Sequence, residues 1–206
     1  MDISNSALVP AYGERAVLQR APLGWADVSI DRLFPSASTR AHRERRAVAE
    51  FARRVNALGD LREASAPARL EVLGALRGLV QTIDTASYVA PTGRYGRRVL
   101  RQDPAGWSLA AITLRNGQQT EAHDHDGWGA VVTVQGIERD RRYRLDETGE
   151  LRLIAERDYR PGTGYLFDPT DIHQPAGADP RRLTIALHLL VQDDEAGQHR
   201  HEGNGS

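Results

Sequence analysis

The sequence predicts a mainly β fold with N-terminal helices, the β part forming a closed β architecture. Three observations predict it. Apolar residues recur at helical spacing in the first part of the chain. Short runs rich in β-branched and aromatic residues follow, separated by Gly- and Asp-rich breaks. Those runs have the length and spacing of a closed antiparallel architecture, with helices set to one side of it.

Residues 1–34 are mixed; Ala16-Val17-Leu18 reads as a short strand, and Trp25 and Phe34 as packing residues. A helix is expected over 36–58, with Ser38 or Thr39 as cap, Val48, Phe51, Val55 and Leu58 on one face, and Gly59-Asp60 as its end. A second is expected over 67–88, with Pro67 near its start and Leu70, Leu73, Leu76, Leu79, Val80 and Ile83 on one side. Arg43, Arg45 and Arg46 form a solvated face that also exposes His42. Pro91-Thr92-Gly93 marks the change to strands, expected over 97–100, 107–114, 129–135, 141–145, 151–154, 164–167 and 182–191. Asp146-Glu147-Thr148-Gly149 is a hairpin turn. The expected organisation is one domain: a helical segment over 1–90 packing on the barrel, the barrel over 91–192, and a flexible tail over 193–206. The tail pair His199-Arg200-His201 has no strand or glycine around it and reads as part of that tail.

Composition excludes several classes. A net charge of −1 on 206 residues gives no electrostatic case for nucleic acid or an anionic membrane. All 27 basic residues are arginine, which points to composition bias and weakens any inference from a single arginine. With no cysteine, disulfides, thiolate ligands and cysteine nucleophiles are excluded. Met1-Asp2-Ile3-Ser4-Asn5 lacks the basic and apolar regions of a signal peptide, and no apolar run reaches membrane-spanning length. The expectation is a cytoplasmic monomer or homodimer.

The chemistry concentrates between Gly117 and Gly136. Alternate side chains on a strand share a face, so His123 and His125 of His123-Asp124-His125 are expected to point the same way, and Asp124 away. The buried-strand run Ala130-Val131-Val132-Thr133-Val134 follows. His173 arrives on a separate strand-like segment after residues 162–169, and completes a tripod of metal ligands. Gln118 or Gln119 is a candidate to orient a ligand imidazole. Imidazole suits iron, zinc, copper and nickel alike, so donor type does not name the metal.

Gly117 and Gly136 bracket the pair with five residues before His123 and ten after His125, which resembles cupin spacing. The usual cupin glutamate, four residues after the second histidine, is here Gly129. In that departure, residues 95–190 resemble cysteine dioxygenase and 3-mercaptopropionate dioxygenase. Tyr95-Gly96-Arg97, His123-Asp124-His125, Trp128-Gly129, Asp168 followed by His173, and Leu187-His188 carry the resemblance, over roughly half the chain.

The resemblance implies a cupin, a small jelly-roll β-barrel, holding Fe(II) on His123, His125 and His173. Both atoms of O2 would be added to the sulfur of a small carboxylate-bearing thiol, giving a sulfinic acid. Without a carboxylate ligand the ion keeps its full charge and lowers the pKa of a bound thiol well below about 8.5. The resemblance makes Arg97 the carboxylate clamp, a bidentate fork suited to that group, and Tyr95 and His188 catalytic. Trp128 is either a substrate-binding wall over the site or a core residue. The family's Ser-His-Tyr relay is broken, because Ala186 and Leu190 flank His188. Tyr159 or Tyr165 is a candidate replacement hydroxyl. The candidate thiols are cysteine, 3-mercaptopropionate and a larger thiol such as ergothioneine, and the broken relay favours the last. The alternatives are a carbon–carbon-cleaving cupin dioxygenase and a non-catalytic metal-binding or sensing cupin.

Overall fold

The computed structural model describes residues 37–192. The expected strand at Ala16–Leu18, the packing of Trp25 and Phe34, and the tail with His199 and His201 lie outside them. Among the described residues no helix is long and apolar enough to cross a membrane.

Among the described residues, two α-helices precede eight strands. Helix α1 spans Ala37–Asn56 and buries Val48, Phe51, Ala52 and Val55, the i, i+3, i+4, i+7 stripe of an amphipathic helix. Helix α2 spans Ala66–Val80, with Pro67 in its first turn and Ser65 as N-cap accepting from the amide of Ala68. It is shorter than the apolar spacing suggests. The Thr82 hydroxyl and amide both bond the Leu79 carbonyl, which closes the helix, and Ile83 is buried beyond its end. Leu70, expected on the packed face, is 60% exposed.

The strands are β1 (Gly96–Asp103), β2 (Trp107–Leu114), β3 (Gly129–Gln135), β4 (Glu138–Leu145), β5 (Leu151–Tyr159), β6 (Gly164–Phe167), β7 (Ile172–Gly177) and β8 (Thr184–Val191). They form a five-stranded sheet, β1-β2-β8-β3-β6, and a three-stranded sheet, β5-β4-β7, each antiparallel throughout. This order, with bridges from the segment after β2 onto β7, is the closed jelly roll of a cupin. Gly136, between β3 and β4, has a positive φ of 75°, and a Cβ there would meet Thr184 and Leu183 at under 3 Å.

Period-two alternation divides the larger sheet into two faces. Trp107, Leu109 and Ala111 of β2, Ala130, Val132 and Val134 of β3, and Ile185, Leu187, Leu189 and Val191 of β8 pack with both helices in one core. The Trp107 ring meets Phe51 edge to face at 5.9 Å, and its Nε1 donates to Asn56 at 2.8 Å. The residues between them in sequence, Ala110, Ile112, Val131, Ala186, His188 and Leu190, belong to the other face. Helices therefore seal one side of the sheet, and the barrel interior carries the histidines.

Candidate metal centre

His123, His125 and His173 come together, with one ring nitrogen from each within 4.8 Å of the others. The pairing of His123 with His173 fixes the geometry. The two residues form an isolated antiparallel bridge and exchange both backbone hydrogen bonds, at 3.0 and 2.9 Å. Two ligands from distant parts of the chain thus face one another directly. His125 does not lie on a regular strand, contrary to the alternation expected from the sequence; its amide reaches the Pro169 carbonyl at 3.5 Å. Asp124 also lines the cavity, where alternation had it pointing away.

Each orienting contact leaves a nitrogen free for a metal. His123 Nδ1 donates to the Glu121 carbonyl at 2.8 Å, and His173 Nδ1 donates to Asp140 Oδ1 at 3.0 Å, so both rings present Nε2. His125 Nε2 lies 3.1 Å from His173 Nε2. Burial, then the neighbouring imidazoles, push His123 down to about 4 and His125 down to about 2. Both rings are therefore neutral near pH 7, the state that binds a metal. The donor set fits a divalent transition metal, and these are the residues that would hold one.

Asp140 is the deeper support. Burial pushes its carboxyl up, but the His173 hydrogen bond and the Arg142 guanidinium outweigh this and hold it below the usual range. Arg142 donates to Asp140 at 2.5 Å and to Asp171 at 2.6 Å, which ties β4 to the turn before β7. The expected orienting residues, Gln118 and Gln119, are engaged elsewhere. Gln118 accepts from the Arg115 amide and donates to the Gly93 carbonyl, while Gln119 accepts from Arg141. Asp140 carried one sequence signal: with Glu138 it forms an inward-facing alternate pair at the head of β4, the part of that strand missed by the expected range 141–145.

Among the described residues no carboxylate joins the cluster, and Gly129 explains why. A Cβ on Gly129 would lie 2.1 Å from the Phe167 ring and 2.7 Å from the Leu189 carbonyl. Phe167 fills that space and packs on His125 and His173, with ring centroids 4.7 and 4.8 Å apart. An aromatic wall stands where the usual cupin glutamate would begin.

The cluster opens into a cavity of about 370 Å³, the size of a small-ligand site. Tyr95, Arg97, His188 and Leu190 line it together with His123 and His125. Arg97 and Arg98 diverge as alternation requires: Arg98 pairs with buried Glu44 and stacks on Tyr88, while Arg97 lies on the cavity with no carboxylate partner among the described residues. Trp128 does not line the cavity. It shares the helix-facing side of the sheet with Ala130 and Val132, donates its indole N–H to the Leu61 carbonyl at 2.7 Å, and lies under Arg69. Its position is therefore core, and a substrate-binding role for it is corrected. Of the two candidate hydroxyls, that of Tyr165 is buried and bonds Glu138 at 3.0 Å. Glu138 also meets His188 Nε2 at 3.2 Å. Sequence reasoning missed both Glu138 and Asp140.

No family model and no curated protein matches this chain. Similar solved structures include a cupin superfamily protein from Desulfitobacterium hafniense, 15% identical, covering 56% of this chain and 88% of that one with a TM-score of 0.41. A cupin 2 conserved barrel protein from Leptotrichia buccalis is 13% identical over 52% of this chain and 45% of its own, with a TM-score of 0.41. Hydroquinone 1,2-dioxygenase, in complex with cadmium and 4-hydroxybenzonitrile, is 11% identical over 47% of this chain and 63% of its own, with a TM-score of 0.39. The strand order and interior histidines of this chain itself give it a cupin-type β-barrel fold with a three-histidine cluster suited to a metal ion.

Proposed function

We propose that this protein is a non-haem Fe(II) thiol dioxygenase acting on a small, carboxylate-bearing thiol. The observation that carries the reading is the ligand set: three neutral imidazoles converge, and Phe167 blocks the position from which a fourth, anionic ligand would come. The chemistry that Fe(II) supplies when held by His123, His125 and His173 is the joining of thiol and O2 with both oxygen atoms on sulfur, so that RSH and O2 together give RSO2H.

The residues of the chain do the rest. Arg97 receives the substrate carboxylate in a two-pronged ion pair and so aims the sulfur toward the histidines. Ala110, Ile112 and Leu190 provide an apolar wall for the carbon skeleton. Leu190 stands where the resembled dioxygenases carry a tyrosine, which leaves room for a bulkier thiol such as ergothioneine beside cysteine and 3-mercaptopropionate. Tyr95 lies on the cavity lining, 42% exposed, within the substrate's approach.

The test is oxygen uptake by Fe(II)-loaded protein with cysteine, 3-mercaptopropionate, cysteamine and ergothioneine, with mass spectrometry of each product. One thiol should gain two oxygen atoms, and His123→Ala should abolish the reaction. Absence of uptake with every thiol, despite bound iron, would overturn the reading in favour of a carbon–carbon-cleaving or a non-catalytic sensing cupin.

A further inference from the structure

His188 lines the cavity, yet it lacks the flanking serine and tyrosine that would fix it in the dioxygenases this chain resembles; Ala186 and Leu190 occupy those places. Something else fixes it. Glu138 is fully buried on β4, and its two oxygens are divided between two partners. Oε1 accepts from the Tyr165 hydroxyl at 3.0 Å, and Oε2 meets His188 Nε2 at 3.2 Å. As a carboxylate, Glu138 has no proton to give, and both partners then donate to it. In that arrangement His188 bears a proton on Nε2, the nitrogen that faces Glu138.

A buried carboxylate held by one phenol and one imidazole is an expensive way to fill a core position. A neutral side chain would satisfy the Tyr165 hydroxyl at lower cost. Arg142, the nearby cation, stacks over the Tyr165 ring at 5.2 Å and spends its N–H groups on Asp140, Asp171 and the Leu166 carbonyl, none of them on Glu138. What a carboxylate provides here and an amide does not is a fixed direction for two donors.

We propose that Glu138, anchored by the Tyr165 hydroxyl, is the positioning residue that holds His188 as the Nε2-protonated tautomer against the substrate cavity. It does by a contact from another strand what sequence neighbours of the histidine do in the resembled enzymes. The catalytic part of this inference rests on the thiol dioxygenase reading; the tautomer part does not.

The decisive variant is Glu138→Gln, which preserves volume and places an amide N–H2 opposite one of the two donors. Nitrogen-15 spectra of Zn(II)-loaded protein, with the His188 signals assigned by their loss in His188→Gln, report which ring nitrogen bears the proton. Wild type should show the proton on Nε2, and Glu138→Gln should move it wholly or partly to Nδ1. In Fe(II)-loaded protein the same variant should lower kcat about tenfold or more, with iron content unchanged and KM within about twofold. Glu138→Asp, too short to span both partners, should give mixed tautomers and an intermediate kcat. The proposal is overturned by an unchanged tautomer in both variants. It is likewise overturned by a changed tautomer with full kcat, or by iron loss that accounts for the fall in rate. If no thiol is turned over by wild type, the dioxygenase reading fails by itself and the nitrogen-15 result still decides the tautomer.

Discussion

Asp140→Asn tests the metal centre most directly. Asp140 is 2% exposed; one oxygen accepts from His173 Nδ1 at 3.0 Å and the other from Arg142 at 2.5 Å. Asparagine keeps the volume but replaces one acceptor with an N–H2 group, which must face either His173 or Arg142, both of them donors. Arg142 keeps Asp171 as a counter-ion, so the guanidinium is not stranded. The loss falls on His173, which no longer has a carboxylate fixing its ring and strengthening its Nε2. Removal of such a support lowers metal affinity about 10- to 100-fold, or about 1.4–2.7 kcal/mol. The lost charge-assisted hydrogen bond removes a further ~1.5–3 kcal/mol from the stability of the metal-free fold. Anaerobic competition against a chelator of known affinity measures the first quantity, and denaturant unfolding of metal-free protein measures the second. A metal affinity within about twofold of wild type would refute the role given to Asp140, whatever happened to stability.

Four further outcomes are expected. Arg97→Ala should raise KM for a carboxylate-bearing thiol much more than for cysteamine; equal effects on both would remove Arg97 as the clamp. Gly129→Glu should fail to add a fourth ligand, because its Cβ would collide with Phe167 and the Leu189 carbonyl; overpacking of this kind costs about 1–3 kcal/mol, and a stable variant with raised metal affinity would contradict the wall. Trp128→Phe should cost about 0.5–1.5 kcal/mol by removing the indole hydrogen bond to the Leu61 carbonyl, which still accepts from the Ala64 amide, with KM unchanged, whereas a KM effect without loss of stability would return Trp128 to the substrate site. Metal-free protein should lose stability in acid, since His123 and His125 are lowered to about 4 and about 2 in the fold while unfolded histidine titrates near 6.5. Their contribution is complete above that value and declines as pH falls below it, by about 2–4 kcal/mol between pH 7 and pH 5 for the two together. A flat denaturation midpoint across that range would show that both imidazoles protonate freely.

Much of the fold was legible because its signals are local. The limits of β2, β3 and β6 follow from runs such as Trp107–Leu114, buried on both faces and apolar except for Ser108 and Thr113. The metal ligands were legible because two are neighbours in sequence and the glycines around them mark a turn and a strand. Helix α2 was read too long because apolar spacing continues through Ile83, and only the capping of the Leu79 carbonyl by Thr82 ends it. Strand β5 extends to Tyr159 with almost every residue exposed, so no burial pattern marked its second half.

The sequence by itself determined the barrel with its preceding helices, the three histidines, the missing glutamate at Gly129, and the divergence of Arg97 from Arg98, all consequences of residue type and period. Only the tertiary structure decided what supports those histidines and which way Trp128 faces. Asp140, Glu138 and Phe167 act on residues between 33 and 50 positions away or on another strand, through hydrogen bonds and ring contacts set by strand register. Register depends on how all the strands close together, and no local pattern contains it.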